Sequence, residues 1–334
     1  MSYTSKHGPI HPSVLPLCDP AYVEYYNSAI LGGIALDYTA PFDPSIRTVP
    51  LLSGGAKPLE CVAEEVQIGE CNVRVLTPPA EGGGKQVKQG GWPVVIYFHG
   101  GGWVLGSIDS EISIATQLCR RVPCVVVSVN YRLAPEHPYP AAVDDAWSVL
   151  LWVRAHAQEY NINPSLLAVG GASCGGQLAA VISHMAVLSS PPIPIALQLL
   201  TVPCTDLDPA APYPSRELFA LGPALPAARM NWFYNLFNAP PKEWKASPIL
   251  APAEHWDRLP PAFVVVGGLD FLRDEGVEYA RLMNERGAKA ELKVFEGVPH
   301  HFPSLDGVLE QGKEYVDDAV DRVAKAFKEA EAKL

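Results

Sequence analysis

Hydrophobic positions fall into two patterns along this chain. The first is the short, unbroken apolar run: WPVVIYFHG from residue 92, CVVVSVN at 124–130, LLAVGG at 166–171, IALQLLTV at 195–202 and AFVVVGG at 262–268. Runs of this length, rich in β-branched residues and bounded by turn formers, suit strands buried on both faces. The second is the helical stripe. Val143, Trp147, Leu150 and Leu151 share one face, Gln177 to Leu188 forms another helix, and Val316, Ala319, Val320, Val323 and Phe327 mark an amphipathic C-terminal helix. ECVAEEVQIG and ECNVRVLTP predict an antiparallel pair turning near Gly69, PPAEGGGKQVKQGG at 78–91 a surface loop, and AELKVFEG at 290–297 a last strand. Strands alternating with helices predict an α/β fold with a mostly parallel sheet and no internal repeat.

Two stretches break the alternation. Residues 1–50 are rich in proline and aromatics with little periodicity, and read as a segment that covers something. Between TVPCTD and PPAFVVVGG lie over fifty residues, including SRELFALGPALPAARMNWFYNLFNAPPKEW. A structureless loop of that length would be unusual. The expectation is a helical insertion capping the sheet at about 206–246, with ordinary core helices as the alternative.

Composition narrows the partners. The chain has 334 residues, 48% of them hydrophobic, with 25 basic against 36 acidic side chains, a formal charge of −11. No basic stripe is present, so nucleic acid and anionic membrane surfaces are not expected partners. No stretch reaches the length of a membrane-spanning helix, and MSYTSKHGPIHPSVLPLCDP lacks the apolar run of a signal peptide. Seven cysteines without a Cys-x-x-Cys pair argue against a disulfide framework or structural zinc and suit the cytoplasm.

Candidate chemistry begins in LLAVGGASCGGQLAAVISHM, residues 166–185, where Ser173 and Cys174 adjoin. Gly171-x-Ser173-x-Gly175 follows a predicted strand and opens a predicted helix, the context of a nucleophile elbow. Its tight turn requires small residues two positions either side, and the helix N-terminus behind it supplies positive potential. Framed on Cys174, the flanks become Ala172 and Gly176, a poorer fit. At a helix N-terminus the Cys174 thiol would tend toward a lower pKa, although a buried packing role is the simpler reading. A second element, YFHGGGW at 97–103, places three glycines after a buried strand, where backbone N–H groups approach a ligand closely.

The third element, VNYRLAPEHPYPAAVDDAW at 129–147, completes a set. His-Gly-Gly-Gly-Trp, Tyr-Arg-Leu-Ala-Pro-Glu-His-Pro-Tyr-Pro-Ala-Ala and Gly-x-Ser-x-Gly-Gly, in this order, resemble the hormone-sensitive lipase family of α/β-hydrolases. The resemblance runs from about residue 60 to the C-terminus and is strongest over 94–180. It implies an eight-stranded, mostly parallel sheet flanked by helices, with a cap made from the N-terminal segment and an insertion after the sixth strand. Residues 1–50 would then be the N-terminal cap segment and 51–334 the catalytic domain.

By the same resemblance the catalytic set is Ser173, Asp270 and His300, in the chain order Ser–Asp–His. Asp270 comes from GGLDFLRDEG, where Asp274 is the rival, expected to cap the following helix. His300 comes from FEGVPHHF, where His301 stands in place of the family's glycine. Backbone N–H groups of Gly101, Gly102 and Cys174 would hold an oxyanion, and Trp103, Trp232, Phe233 and Phe237 are the candidate pocket residues. Two positions depart from the family's Gly-Asp-Ser-Ala-Gly-Gly: Ala172 replaces the acid and Cys174 the alanine.

The other histidines carry less. Pro9 makes a helical metal pair of His7 and His11 improbable, His137 belongs to the family's structural loop, His184 to a core helix, and His99 reads as a loop organiser. No metal cluster or phosphate-binding loop is visible. The resemblance implies a carboxylesterase acting on short- to medium-chain esters through an acyl-enzyme, with no cofactor. Amide or lactone hydrolysis, a biosynthetic hydrolase or lyase, and a non-catalytic small-molecule receptor are the alternatives, and a homodimer is left open.

Overall fold

The computed structural model describes residues 4–48 and 54–334. The division expected between residues 50 and 51 lies outside the described residues. The N-terminal segment carries a two-stranded antiparallel ribbon, β1 (Thr4–Lys6) with β2 (Ile34–Leu36), and between them the short helix α1 (Pro20–Tyr25). No periodicity foretold this ribbon, because three-residue strands are too short to show one.

The expected antiparallel pair is β3 (Val62–Ile68) and β4 (Cys71–Thr77), joined at Gly69, whose φ is 59°. The alternating units follow: β5 (Trp92–Phe98), α2 (Ile112–Arg121), β6 (Val125–Asn130), α3 (Ala141–Ala155), β7 (Ile162–Ala172), α4 (Cys174–Leu188) and β8 (Leu197–Thr201). The insertion contributes α5 (Pro214–Leu218) and α6 (Ala227–Phe237); then come β9 (Ala262–Gly267), α7 (Arg273–Glu285), β10 (Ala290–Phe295) and α8 (Glu310–Glu331). The sheet has eight strands in the order β10-β9-β8-β7-β5-β6-β4-β3, and only β4 opposes its neighbours.

Both faces of this sheet are buried, which is why its central strands read as continuous apolar runs. In β9, Val264 and Val266 join a core with residues of α3, α4 and α7, while Phe263 and Val265 join a second core with residues of α2 and α8. The period-two alternation of a strand thus divides its side chains between two apolar layers. On α8 the residues at helical spacing, from Val316 to Phe327, form the buried face.

The strand order reverses direction at β5, which pairs with β6 on one side and β7 on the other. Ligands of open α/β sheets bind beyond the carboxyl ends of strands at such a switch point. Both glycine-rich motifs leave the sheet there, one from β5 and one from β7.

The insertion between β8 and β9 is fixed to the sheet by a buried ion pair. Arg216 of α5 meets Glu275 of α7 at 2.6 Å, and Glu275 also accepts the backbone N–H of Thr205 at 2.8 Å. The N-terminal segment supports α6 through Tyr38 and Phe42, whose rings lie 6.0 and 6.2 Å from that of Trp232.

Candidate active site

Ser173 sits between the end of β7 and the first turn of α4, with φ 57° and ψ −119°. A non-glycine residue held there stores backbone strain of roughly 1–3 kcal/mol, which the surroundings must enforce. They do so by close packing. A Cβ on Gly175 would collide with the Phe98 carbonyl oxygen, so β5 and the start of α4 approach as they do only because the position is glycine.

His300 follows β10 and brings its Nε2 to 2.9 Å from Ser173 Oγ. Its Nδ1 lies 2.7 Å from Oδ2 of Asp270, which is 1% exposed. The carboxylate fixes the tautomer: Nδ1–H donates to Asp270, and the Nε2 lone pair faces the serine hydroxyl. Asp270 Oδ1 accepts the backbone N–H of Leu272 at 2.9 Å. Asp274 is engaged elsewhere, accepting from Ser215 N–H and pairing with Arg273, each at 2.7 Å. It lies in the first turn of α7, but the cap position belongs to Leu272, with no side-chain cap. The capping role expected for Asp274 is therefore replaced by an anchor on α5.

The loop after β5 is organised by His99 and Tyr131. Their rings stack at 4.3 Å, the Tyr131 hydroxyl donates to the His99 carbonyl at 2.8 Å, and His99 Nδ1–H donates to the Gly100 carbonyl at 2.7 Å. Burial pushes His99 down to about 4, which makes it a poor base and a neutral structural ring. Gly101 and Gly102 line the same cavity as Ser173. Gly102 has φ 62°, and a Cβ there would strike the Phe233 ring.

Cys174 directs its thiol away from that cavity. Sγ accepts the Trp103 backbone N–H at 3.3 Å and lies 3.4 Å from the Tyr131 hydroxyl. Burial pushes the thiol up to about 11, outweighing the helix N-terminus expected to lower it. Its backbone N–H belongs to the first turn of α4, where no intrahelical acceptor exists.

The family model described as alpha/beta hydrolase fold matches residues 95–304, which contain both motifs and all three residues of the Ser–His–Asp line. The chain belongs to the α/β-hydrolase fold family. It is 36% identical to an AB hydrolase superfamily protein of Schizosaccharomyces pombe over 96% of this chain and 97% of the other. To esterase LipI of Mycobacterium tuberculosis it is 35% identical, covering 80% of this chain and 79% of that one. Among solved structures, a fungal esterase from Rhizomucor miehei superposes with a TM-score of 0.83 at 26% identity, covering 95% of this chain and 99% of that chain. The likeness to hormone-sensitive lipase relatives agrees with these matches.

The cavity of this hydrolase has a volume of about 150 Å³. Ser173, Ala172 and His300 form its floor, with Leu225, Arg229 and Phe233 of the insertion in its wall. The pocket expectation needs correction, because of the four candidate aromatics only Phe233 lines the cavity. Trp103 and Phe237 stack on each other at 4.2 Å in the core, with Trp103 Nε1 donating to Gln177 at 3.1 Å. Trp232 turns to the N-terminal segment, as described above. On α6, Trp232, Phe233 and Phe237 point in different directions, and which of them meets the cavity depends on how the helix is rotated.

Sequence reasoning missed Arg229 and Glu111. Arg229 lies four residues before Phe233, hence on the same helical face, and that spacing is the signal that would have found it. Glu111 accepts Gly100 N–H and the Tyr97 hydroxyl, each at 2.8 Å, and burial raises its pKa. No periodicity marks a carboxylate that reaches back to a loop eleven residues earlier. No described helix is long and apolar enough to cross a membrane.

Proposed function

We propose that this protein is a serine carboxylesterase that cleaves short- to medium-chain esters through an acyl-enzyme on Ser173. The observation that carries the reading is the line from Ser173 Oγ through His300 to Asp270, at 2.9 and 2.7 Å, opening onto a cavity edged by Gly101 and Gly102. The esterase names of LipI and of the Rhizomucor miehei protein support it.

In this reading Ser173 Oγ attacks the ester carbonyl while His300 Nε2 takes its proton. Asp270 holds the imidazole and stabilises the imidazolium that forms. The developing oxyanion is met by backbone N–H groups of Gly101, Gly102 and Cys174. His300 returns the proton to the departing alcohol, and water, deprotonated by the same nitrogen, then releases the acid from Ser173. Cys174 contributes its backbone, not its thiol.

Residues 1–50 and 206–246 act as the cap in this proposal. Leu225, Arg229 and Phe233 in the cavity wall, and the Tyr22 ring 5.7 Å from that of His301, support it. The seven unpaired cysteines suit a cytoplasmic setting. A homodimer would find a half-exposed apolar edge at Leu292 and Val294 of β10. The test is hydrolysis of p-nitrophenyl butyrate by the purified protein, expected to proceed and to vanish in Ser173→Ala. An inactive wild type, or an unaffected variant, would refute the reading.

A further inference from the structure

One side of the cavity wall takes no part in this chemistry. Arg229 lines the cavity with Ser173, and its guanidinium lies 5.5 Å from the Phe233 ring centroid. Nη1 donates to the Ala224 carbonyl at 2.8 Å, while Nε is buried with no hydrogen-bond partner. No carboxylate pairs with Arg229 among the described residues, whereas His300 in the same cavity has Asp270. His301 stands in the same wall with both ring nitrogens buried and unpartnered.

A buried polar group without a partner is unfavourable and rare. Here two such side chains share one small cavity. Burial, with His300, Arg229 and His7 nearby, pushes His301 down to about 3, so it stands as a neutral ring with one donor and one acceptor. His7 is lowered too, by burial and by Arg229. Glu111, the one acid lining the cavity among the described residues, has its oxygens occupied by Gly100 N–H and the Tyr97 hydroxyl.

We infer that Arg229 and His301 form an anion-recognition subsite, and that the preferred substrates are short esters bearing a carboxylate a few bonds from the scissile carbonyl. The carboxylate would accept a charge-assisted bond from Arg229 and one from the imidazole N–H of His301. The inference rests on the esterase reading and names its substrate class. The cavity of about 150 Å³ limits such a group to a short chain.

Two matched pairs test it. Monoethyl succinate and ethyl 4-methylpentanoate share one heavy-atom skeleton, with the carboxylate on the acyl side. Acetoxyacetate and isobutyl acetate do the same on the alcohol side. The wild type is expected to favour the anionic member of at least one pair by about tenfold in kcat/KM, the scale of one charge-assisted bond. Arg229→Leu should invert that ratio, Arg229→Lys should recover part of it, and His301→Phe should lower it. Preference for the neutral member in both pairs, or an equal change in both members on Arg229→Leu, would overturn the subsite.

Calorimetric binding of monoethyl succinate and acetoxyacetate to Ser173→Ala reads the same subsite without turnover. Binding that Arg229→Leu abolishes supports it, and no binding of either anion counts against it. Failure of the wild type to hydrolyse p-nitrophenyl acetate would defeat the esterase reading alone and leave the subsite to the calorimetry.

Discussion

Replacing Asp270 by Asn isolates one hydrogen bond of the candidate site. Leu272 N–H already donates to Oδ1 at 2.9 Å, so in the variant the amide oxygen is held at that position. The amide NH₂ must then occupy the place of Oδ2, 2.7 Å from His300 Nδ1. Two donors cannot face each other, so the imidazole moves its proton to Nε2 and presents a donor to Ser173. The serine hydroxyl loses its base while size and packing stay nearly unchanged. Losses from this kind of tautomer reversal reach about 10⁴ in kcat, or about 5.4 kcal/mol of barrier at about 1.36 kcal/mol per tenfold. The control is Asp274→Asn, which keeps an acceptor for Ser215 N–H and gives up only the partly exposed pairing with Arg273. That pair is worth about 1 kcal/mol at most, and turnover should stay within about fivefold of wild type. Turnover of p-nitrophenyl butyrate, with circular dichroism to establish folding, reads both variants. Asp270→Asn within tenfold of wild type, or a larger loss in Asp274→Asn, would refute the assignment.

A fluorophosphonate should label Ser173 once, and Cys174→Ala should keep most of the esterase activity because only its backbone is used; peptide mapping that finds the adduct on Cys174 contradicts this. His300→Ala should lose several orders of magnitude in turnover of neutral esters while His301→Ala keeps measurable activity, and steady-state kinetics showing the reverse would exchange their roles. Leu225, Arg229 and Phe233 wall the small cavity beside Ser173. Butyryl esters should therefore exceed palmitoyl esters by about a hundredfold in kcat/KM, and equal rates on emulsified long-chain substrates would show that the cavity does not limit the acyl chain. His184 is pushed down to about 3 by burial and by His255, against about 6.5 for a free histidine. The unfolded chain thus binds a proton the folded one refuses, and stability present above about pH 6.5 is lost as pH falls toward about 3, by about 1.4 kcal/mol per pH unit. Urea unfolding at pH 7 and pH 5.5 should show His184→Gln losing about 1.3 kcal/mol less than wild type; equal losses would refute a buried neutral ring.

The sheet was legible in the chain because its strands are buried on both faces, which leaves a run of apolar residues that nothing else explains. Boundaries were less so. LLAVGG showed only the later part of β7, because after the buried Ile162 the residues Asn163 to Ser165 are partly exposed and break the apolar run. The elbow was legible as well, since a turn that crowds Phe98 against Gly175 leaves glycine in the sequence as its trace.

What the sequence determined by itself was the set of local, short-range features: strand runs, helical stripes, the two glycine motifs and the chain order of the candidate residues. What only the tertiary structure decided was which side chains meet. Asp270, just before α7, and Asp274, in its first turn, lie four residues apart, and no spacing says which of them meets a histidine. His300 does, arriving from another strand thirty residues later. Trp232, Phe233 and Phe237 are alike in hydrophobicity, so the choice of Phe233 for the cavity depended on the rotation of α6, which packing against the loop after β5 and the N-terminal segment sets. Arg229 was not singled out in the chain, and only the fold placed it in one cavity wall with His301 and, among the described residues, with no acid paired to it. Periodicity records whether a residue is buried. It does not record what the residue is buried against, because contacts between distant segments leave no spacing in the chain.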